Sequence, residues 1–324
     1  MAANFSYLSY LNLSLRSNSN SGLIYANTRN QVELIVNFIA LDDNGKQVFL
    51  TDAQMQSTIS LCDYFTRGTI NNGWSVSQQA GDFVSDGILL DHASSYTAFA
   101  KEEKKESLSA LKSGLDGYLL PQSFTLWVSA ANSVTTAKSF AVKISDGDKT
   151  TYDSAINGNF ESSILLEPVV EKSYVMDDMF LSPDAYIYYN GDGTLKKHSN
   201  FFSFKDYKLC IKRVDGIPSD SDTLICSSFA LWNAASRYVY IDGLNSGDKI
   251  NVLVPDGTSL TYDKNERKEY LCFSLFNIEH VGEVSSYHKA VNITIYDQYG
   301  NNGHFNVDVN SPSAEVIKVV IKDA

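Results

Sequence analysis

Two segments carry the spacing in which a lysine can activate a serine nucleophile: Ser109-Ala110-Leu111-Lys112 and Ser286-Tyr287-His288-Lys289. Such a pair could open an acyl group, but the enzymes that use it carry companion motifs found in neither place. Two matches in one chain show how cheaply the pattern arises, and chance explains both. No Gly-x-Ser-x-Gly elbow, no His-Glu-x-x-His and no phosphate-cradling glycine loop is present. Glycosidase carboxylates come from separate strands, so spacing says nothing about them. The catalytic set is therefore empty, and the expectation is a protein that is not an enzyme.

Metal chemistry fares little better. His280 and His288 are the pair of histidines best placed to meet in one hairpin, among His92, His198, His280, His288 and His304. Surface or turn positions account for all five without a metal. Acid-rich runs at Asp42-Asp43-Asn44, Asp146-Gly147-Asp148, Asn190-Gly191-Asp192 and Ser219-Asp220-Ser221-Asp222 raise calcium. None supplies the six to eight spaced oxygens that ion wants, and turn chemistry explains Asp and Asn there. The four cysteines, Cys62, Cys210, Cys226 and Cys272, show no zinc spacing. Cys62 and Cys272 sit in apolar runs and read as buried thiols. Cys210 and Cys226 could meet across a hairpin in an oxidising compartment. No cofactor is expected.

Binding has more to work with. Tyr186, Tyr188 and Tyr189 precede an Asn190–Gly193 turn signal and could form a platform on which sugar rings stack; Trp74 and Trp232 could do the same. Tyrosine is also an ordinary strand and interface residue, so packing competes with ligand contact at each position.

Those side chains must be positioned by sheets. The chain of 324 residues is 44% hydrophobic and 12% aromatic, with 19 Tyr against 6 Pro. That balance suits the pleated, half-buried surface of strands, and the length accommodates two domains. A formal charge of −12 repels phosphate backbones and anionic lipid, so neither nucleic acid nor membrane insertion is expected. The N-terminal residues lack a basic region and a continuous apolar core, and no apolar run is long enough for a membrane helix. Without a signal peptide or such a span, the protein is expected in the cytoplasm or exported by a leaderless route.

Residues 31–41 alternate as a central strand, with Val32, Leu34, Val36, Phe38 and Ala40 on one face. Residues 51–64 read as a helical turn capped at Thr51 or Asp52, then a strand. Residues 98–115 read as the one convincing helix, with Leu108, Leu111 and Leu115 as its apolar stripe. Strands are expected at 123–130, 139–145 and 162–170, and a junction at 171–183. Further strands are expected at 185–189, 208–214, 237–241, 249–254, 270–276, 291–296, 305–309 and 316–321, punctuated by Gly, Asp and Asn. The fold class is all-β: two tandem β-sandwich domains, 1–170 and 171–324, with an inserted helix near 98–115 in the first.

Near each end the same grammar recurs: an alternating strand closing on Asp-x-x-Gly, as in Ala40-Leu41-Asp42-Asp43-Asn44-Gly45 and Ile295-Tyr296-Asp297-Gln298-Tyr299-Gly300. This element resembles the strand-turn-strand of bacterial Ig-like domains, which occur in adhesins, invasins and phage tail proteins. The resemblance covers about 15 residues in each half; the antibody-type Cys…Trp…Cys spacing is absent, and a minimal module has no place for the helix. It implies β-sandwiches and a surface-binding role. The expected function is non-enzymatic recognition of a cell surface, glycan or protein partner, in an adhesion, toxin or phage-tail-like system. The alternative is a self-assembling structural subunit acting as a homo-oligomer. A hydrolase on a β scaffold ranks third, with no residue pattern in its support.

Overall fold

Alternating runs separated by Asp and Gly turns leave the chain little choice but sheets, and the computed structural model is all-β with a single short α-helix among its described residues. It describes residues 5–88, 119–146, 150–182, 186–189, 195–217, 223–230, 234–242, 244, 249–253, 259–263, 267, 269–279, 284–311, 313 and 317–324. The expected helix at 98–115 lies outside them. Contacts divide the chain into two units, Met1–Glu171 and Lys172–Ala324.

The first unit runs β1 (Tyr7–Leu15), β2 (Ser21–Ala26), β3 (Asn30–Leu41), β4 (Gln47–Val48), α1 (Asp52–Thr58), β5 (Ile59–Asp63), β6 (Trp74–Ser77), β7 (Phe83–Ser85), β8 (Gln122–Ala130), β9 (Lys138–Ser145), β10 (Thr151–Asp153) and β11 (Ile164–Val170). One sheet has the order β1-β3-β8-β6, with β4 and β7 on β3; the other has β10-β9-β11-β2, with β5 on β9. Both sheets feed one core: Val32, Leu34, Val36 and Phe38 of β3 meet Phe140, Val142 and Ile144 of β9, all at 0% exposure. Period-2 alternation with one apolar face is what makes these two strands bury so completely. Helix α1 starts at Thr51, whose hydroxyl accepts the Gln54 N–H while the Gln54 side chain accepts the Thr51 N–H.

Strand β1 departs from simple alternation. A register shift between Leu8 and Tyr10 lets Leu8, Leu11, Leu13 and Leu15 all face inward. Its outer edge is partly closed as well: the Ser162 hydroxyl accepts the Leu13 N–H at 2.9 Å and lies 3.1 Å from the Leu13 carbonyl, and the Asn18 N–H reaches the Leu15 carbonyl at 3.0 Å. Strand β2 instead pairs with the last strand, β11, in parallel.

The second unit runs β12 (Ser173–Tyr174), a 3-10 turn (Met176–Asp178), β13 (Met179–Leu181), β14 (Tyr186–Tyr189), β15 (Leu195–Phe204), β16 (Ile211–Asp215), β17 (Thr223–Ala230), β18 (Ala235–Asp242), β19 (Lys249–Leu253), β20 (Ser259–Asp263), β21 (Leu271–Glu279), β22 (Tyr287–His288), β23 (Val291–Asp297), β24 (Asn302–Val309) and β25 (Val319–Asp323). One sheet has the order β12-β24-β23-β16, with β25 on β24; the other has β13-β15-β21-β18-β17-β22, with β14 on β15. Phe202 and Phe305 meet edge to face between them, centroids 5.5 Å apart. The hairpin β19–β20 lies against the far face of the larger sheet, where Ile250 packs with Tyr238, Tyr240, Phe276 and Ile278. The acidic stretch 171–183 is expected as a junction; the division between the units falls at its start, after Glu171, and its described remainder supplies β12, the 3-10 turn and β13 of this unit.

Both Asp-x-x-Gly turns close in the same way. The Asp42 carboxylate accepts the N–H groups of Asn44 and Lys46 at 2.9 Å each, and Gly45 takes φ +76°. The Asp297 carboxylate accepts those of Tyr299 and Asn301 at 2.8 and 2.9 Å, and Gly300 takes φ +79°. Asp at the start and Gly in the left-handed position are what this turn requires.

Candidate binding site

The chain repeatedly uses an aspartate to fix a turn, and in two of those turns an aromatic ring is held out from the fold. In the first unit β5 ends at Asp63, whose Oδ1 accepts the N–H of Phe65 (3.1 Å) and of Thr66 (2.9 Å), while Oδ2 accepts from Lys138 Nζ at 2.8 Å. The backbone closes too, through Arg67 N–H to the Asp63 carbonyl and Asp63 N–H to the Gly68 carbonyl. Arg67 sits at φ +56° and sends its guanidinium to the Ile156 carbonyl at 3.1 Å. Lys143 Nζ holds the Arg67 carbonyl at 2.6 Å. Phe65 is 65% exposed and rests edge-on against Tyr64, centroids 5.1 Å apart; Ile156 is partly exposed beside this turn.

The electrostatics keep the turn closed. Burial opposes the Asp63 charge, yet the hydrogen bonds from Lys138 and Thr66 outweigh it and lower its pKa to about 2. Asp63 is therefore ionised, and its acceptors stay filled, at any ordinary pH.

The second unit presents Tyr207, 90% exposed, in the connection between β15 and β16. Asp206 accepts the Lys208 N–H on its carboxylate and the Leu209 N–H on its carbonyl, each at 3.0 Å. The Gln298 side chain, from the Asp297 turn, grips the other flank: its amide donates to the Lys208 carbonyl and accepts the Cys210 N–H, both at 2.9 Å.

The expected site residues distribute differently. Trp74 is 6% exposed and packs edge to face on Phe140 at 5.3 Å, so its indole belongs to the core; the expectation of a stacking surface there is corrected. Trp232 lies outside the described residues. Tyr186, Tyr188 and Tyr189 form β14, opposite Ser199, Lys197 and Lys196 of β15. Positions 186 and 188 share one parity of that strand, and 189 takes the other.

The remaining chemistry is used locally. All four cysteines are free; Cys210 precedes β16 and Cys226 lies on β17 in the other sheet, so no hairpin joins them. Burial pushes the thiols of Cys62 and Cys226 up to about 11, where they hold their protons. His288 Nε2 contacts Asp308 Oδ1 at 2.5 Å, and His304 Nδ1 contacts Thr294 at 3.0 Å. His92 and His280 lie outside the described residues, as do the runs 190–192 and 219–222. Asp146, of another acid run, accepts the Thr150 N–H. Among the described residues no group of three or more His, Cys, Asp or Glu could hold a metal ion, and no helix is long and apolar enough to cross a membrane.

Sequence reasoning passed over Phe65 and Tyr207. The signal was an aromatic one or two places after an aspartate outside any alternating run. No protein-family model matches the chain, and no curated protein matches it.

Proposed function

We propose that the chain is a non-enzymatic recognition protein built from Ig-like sandwich modules, which engages a cell-surface protein or glycan through aromatic residues on fixed turns. The observation that carries this is Phe65: a ring 65% exposed on a turn whose every closing hydrogen bond is made. Aromatic anchors held in one conformation before contact lose little freedom on binding, which is how a few side chains come to dominate an interface. Single exposed apolar residues are common on protein surfaces; the hydrogen-bonded backbone beneath this one, and its repetition at Tyr207, are what favour recognition.

The strand orders support the Ig-like part. The order β1-β3-β8-β6 runs like A-B-E-D, and β5-β9-β11 runs like C-F-G, with β2 added in parallel to the last strand. The partly closed edge of β1 favours recognition over assembly by edge pairing, since open strand edges are what such assembly uses.

The test is attachment of labelled full-length chain to intact cells and to immobilised glycans, comparing wild type with Phe65→Ala and Tyr207→Ala. Saturable attachment, weakened at least tenfold by Phe65→Ala at an unchanged melting temperature, is the expected result. Attachment indifferent to both substitutions would remove these turns from the account. No saturable attachment to any surface would end the recognition reading.

A further inference from the structure

The outer face of the larger sheet in the second unit is chemically out of place. Lys197 and Ser199 of β15, Ser274 of β21 and Asp242 of β18 lie there at 2%, 2%, 0% and 1% exposure. The register lines them up: Lys197 is opposite Phe276 and Phe276 opposite Tyr238, while Ser199 is opposite Ser274 and Ser274 opposite Tyr240. The Ser274 hydroxyl donates to Asp242 Oδ2 at 2.8 Å, and Lys197 Nζ stands 5.8 Å from the Phe276 ring. Tyr238 and Tyr240 stack side by side, centroids 6.5 Å apart and planes 23° from parallel. An aromatic floor set among hydroxyls, a carboxylate and an ammonium is therefore packed away from water.

Part of its cover is the β19–β20 hairpin. Ile250 points down into the cluster with Tyr238, Tyr240 and Phe276, while Lys249, Asn251 and Thr261 are exposed. Among the described residues the two strands pair only with each other. No backbone ladder among the described residues ties these strands to the sheet beneath, and a lone two-stranded hairpin is marginal without packing. A permanently dry interface is built at least as well from apolar side chains, because even a paired buried charge seldom stabilises more than an apolar substitute. Charged and hydroxyl groups beside an aromatic floor whose described cover lacks such a ladder are better explained by a face that is uncovered part of the time.

We propose that the β19–β20 hairpin is a lid over a saccharide-binding face of this sheet. The stacked tyrosines would take the C–H face of a sugar ring, and Ser199, Ser274, Asp242 and Lys197 would meet its hydroxyls. The ligand rests on the recognition reading above; the lid does not.

Hydrogen exchange of the full chain without ligand tests the lid. Amides of β19 and β20 are expected to exchange at least 100-fold faster than the ladder amides of β18 and β21, through local opening. Equal rates, set by unfolding of the whole unit, would overturn it. The saccharide is tested by repeating the measurement with neutral, N-acetylated and acidic oligosaccharides, on wild type and on Lys197→Met. One of them is expected to slow hairpin exchange in wild type and not in Lys197→Met, whose melting temperature stays the same or rises. No response from wild type, or the same response from both proteins, would overturn the saccharide face. Loss of cell attachment with hairpin opening intact would sink the recognition reading and leave the lid standing.

Discussion

At the scale of single residues, aspartate does most of the positioning, and two of these aspartates titrate in opposite senses. Asp63 is held ionised, down to about 2, so it adds stability above its unfolded value near 4 and loses it as the pH falls toward 2. Allowing for solvent screening at the rim, that contribution is about 1–2 kcal/mol. Urea midpoints of wild type and Asp63→Asn should therefore differ at pH 5, draw together as the pH falls below 4, and converge only below pH 2. Burial raises the Asp297 carboxyl despite its hydrogen bonds from Tyr174 and Asn301. Its folded form takes up a proton more readily than its unfolded form, so it adds stability on acidification. The thiols give a second check at this scale. Cys62, Cys226 and Cys272 are buried and Cys210 is half-buried. A thiol reagent at pH 7 should modify Cys210 alone in the native protein and all four in denaturant. Legibility at this scale was uneven: buried Cys62 and Cys272 follow from their apolar neighbours, whereas Phe65 and Tyr207 stand in turns, where no periodicity marks them.

At the scale of elements, the Asp297 turn does more than reverse the chain. Its Oδ2 accepts the Tyr174 hydroxyl at 2.6 Å and the Asn301 amide at 3.0 Å, and Asn301 Oδ1 in turn accepts the Lys172 N–H at 3.2 Å. Strand β12 is thereby clasped to β24, at a point where Gly303 leaves no room for a Cβ against the Tyr174 carbonyl. Asp297→Asn would set an NH2 group against two donors, and should cost about 1–3 kcal/mol in urea unfolding of the second unit. Asp42→Asn, on an exposed turn with backbone donors alone, should cost less. Strands such as β3 and β9 could be read because one face is apolar and the other is not. Strand β15 could not: Lys197, Ser199 and Asn200 are all buried, so hydrophobicity never alternates along its first half. In β1 the bulge near Ser9 repairs a pattern that simple alternation misassigns.

At the scale of the whole molecule, each unit pairs its own described strands into sheets, and among the described residues the first has one large core cluster drawn from both of its sheets. Residues 1–171 made alone should therefore melt in one cooperative calorimetric transition; a broad, non-cooperative trace would show that the core is incomplete without residues 172–324. The all-β class was legible because turn residues recur between short alternating runs. The third layer was not, because the cover of a sheet face leaves no periodic trace in the strands beneath it. One consequence of the first unit's wiring concerns its synthesis. The hydroxyl that closes Leu13 belongs to Ser162, 149 residues later in the chain, and β2 waits for β11 to be made. At ribosomal speeds the nascent N-terminal strands stay without these partners for roughly 8–30 s. Within the first unit, strands made early are thus completed only when its last strand arrives, so demand for chaperones in this unit should fall on β1 and β2.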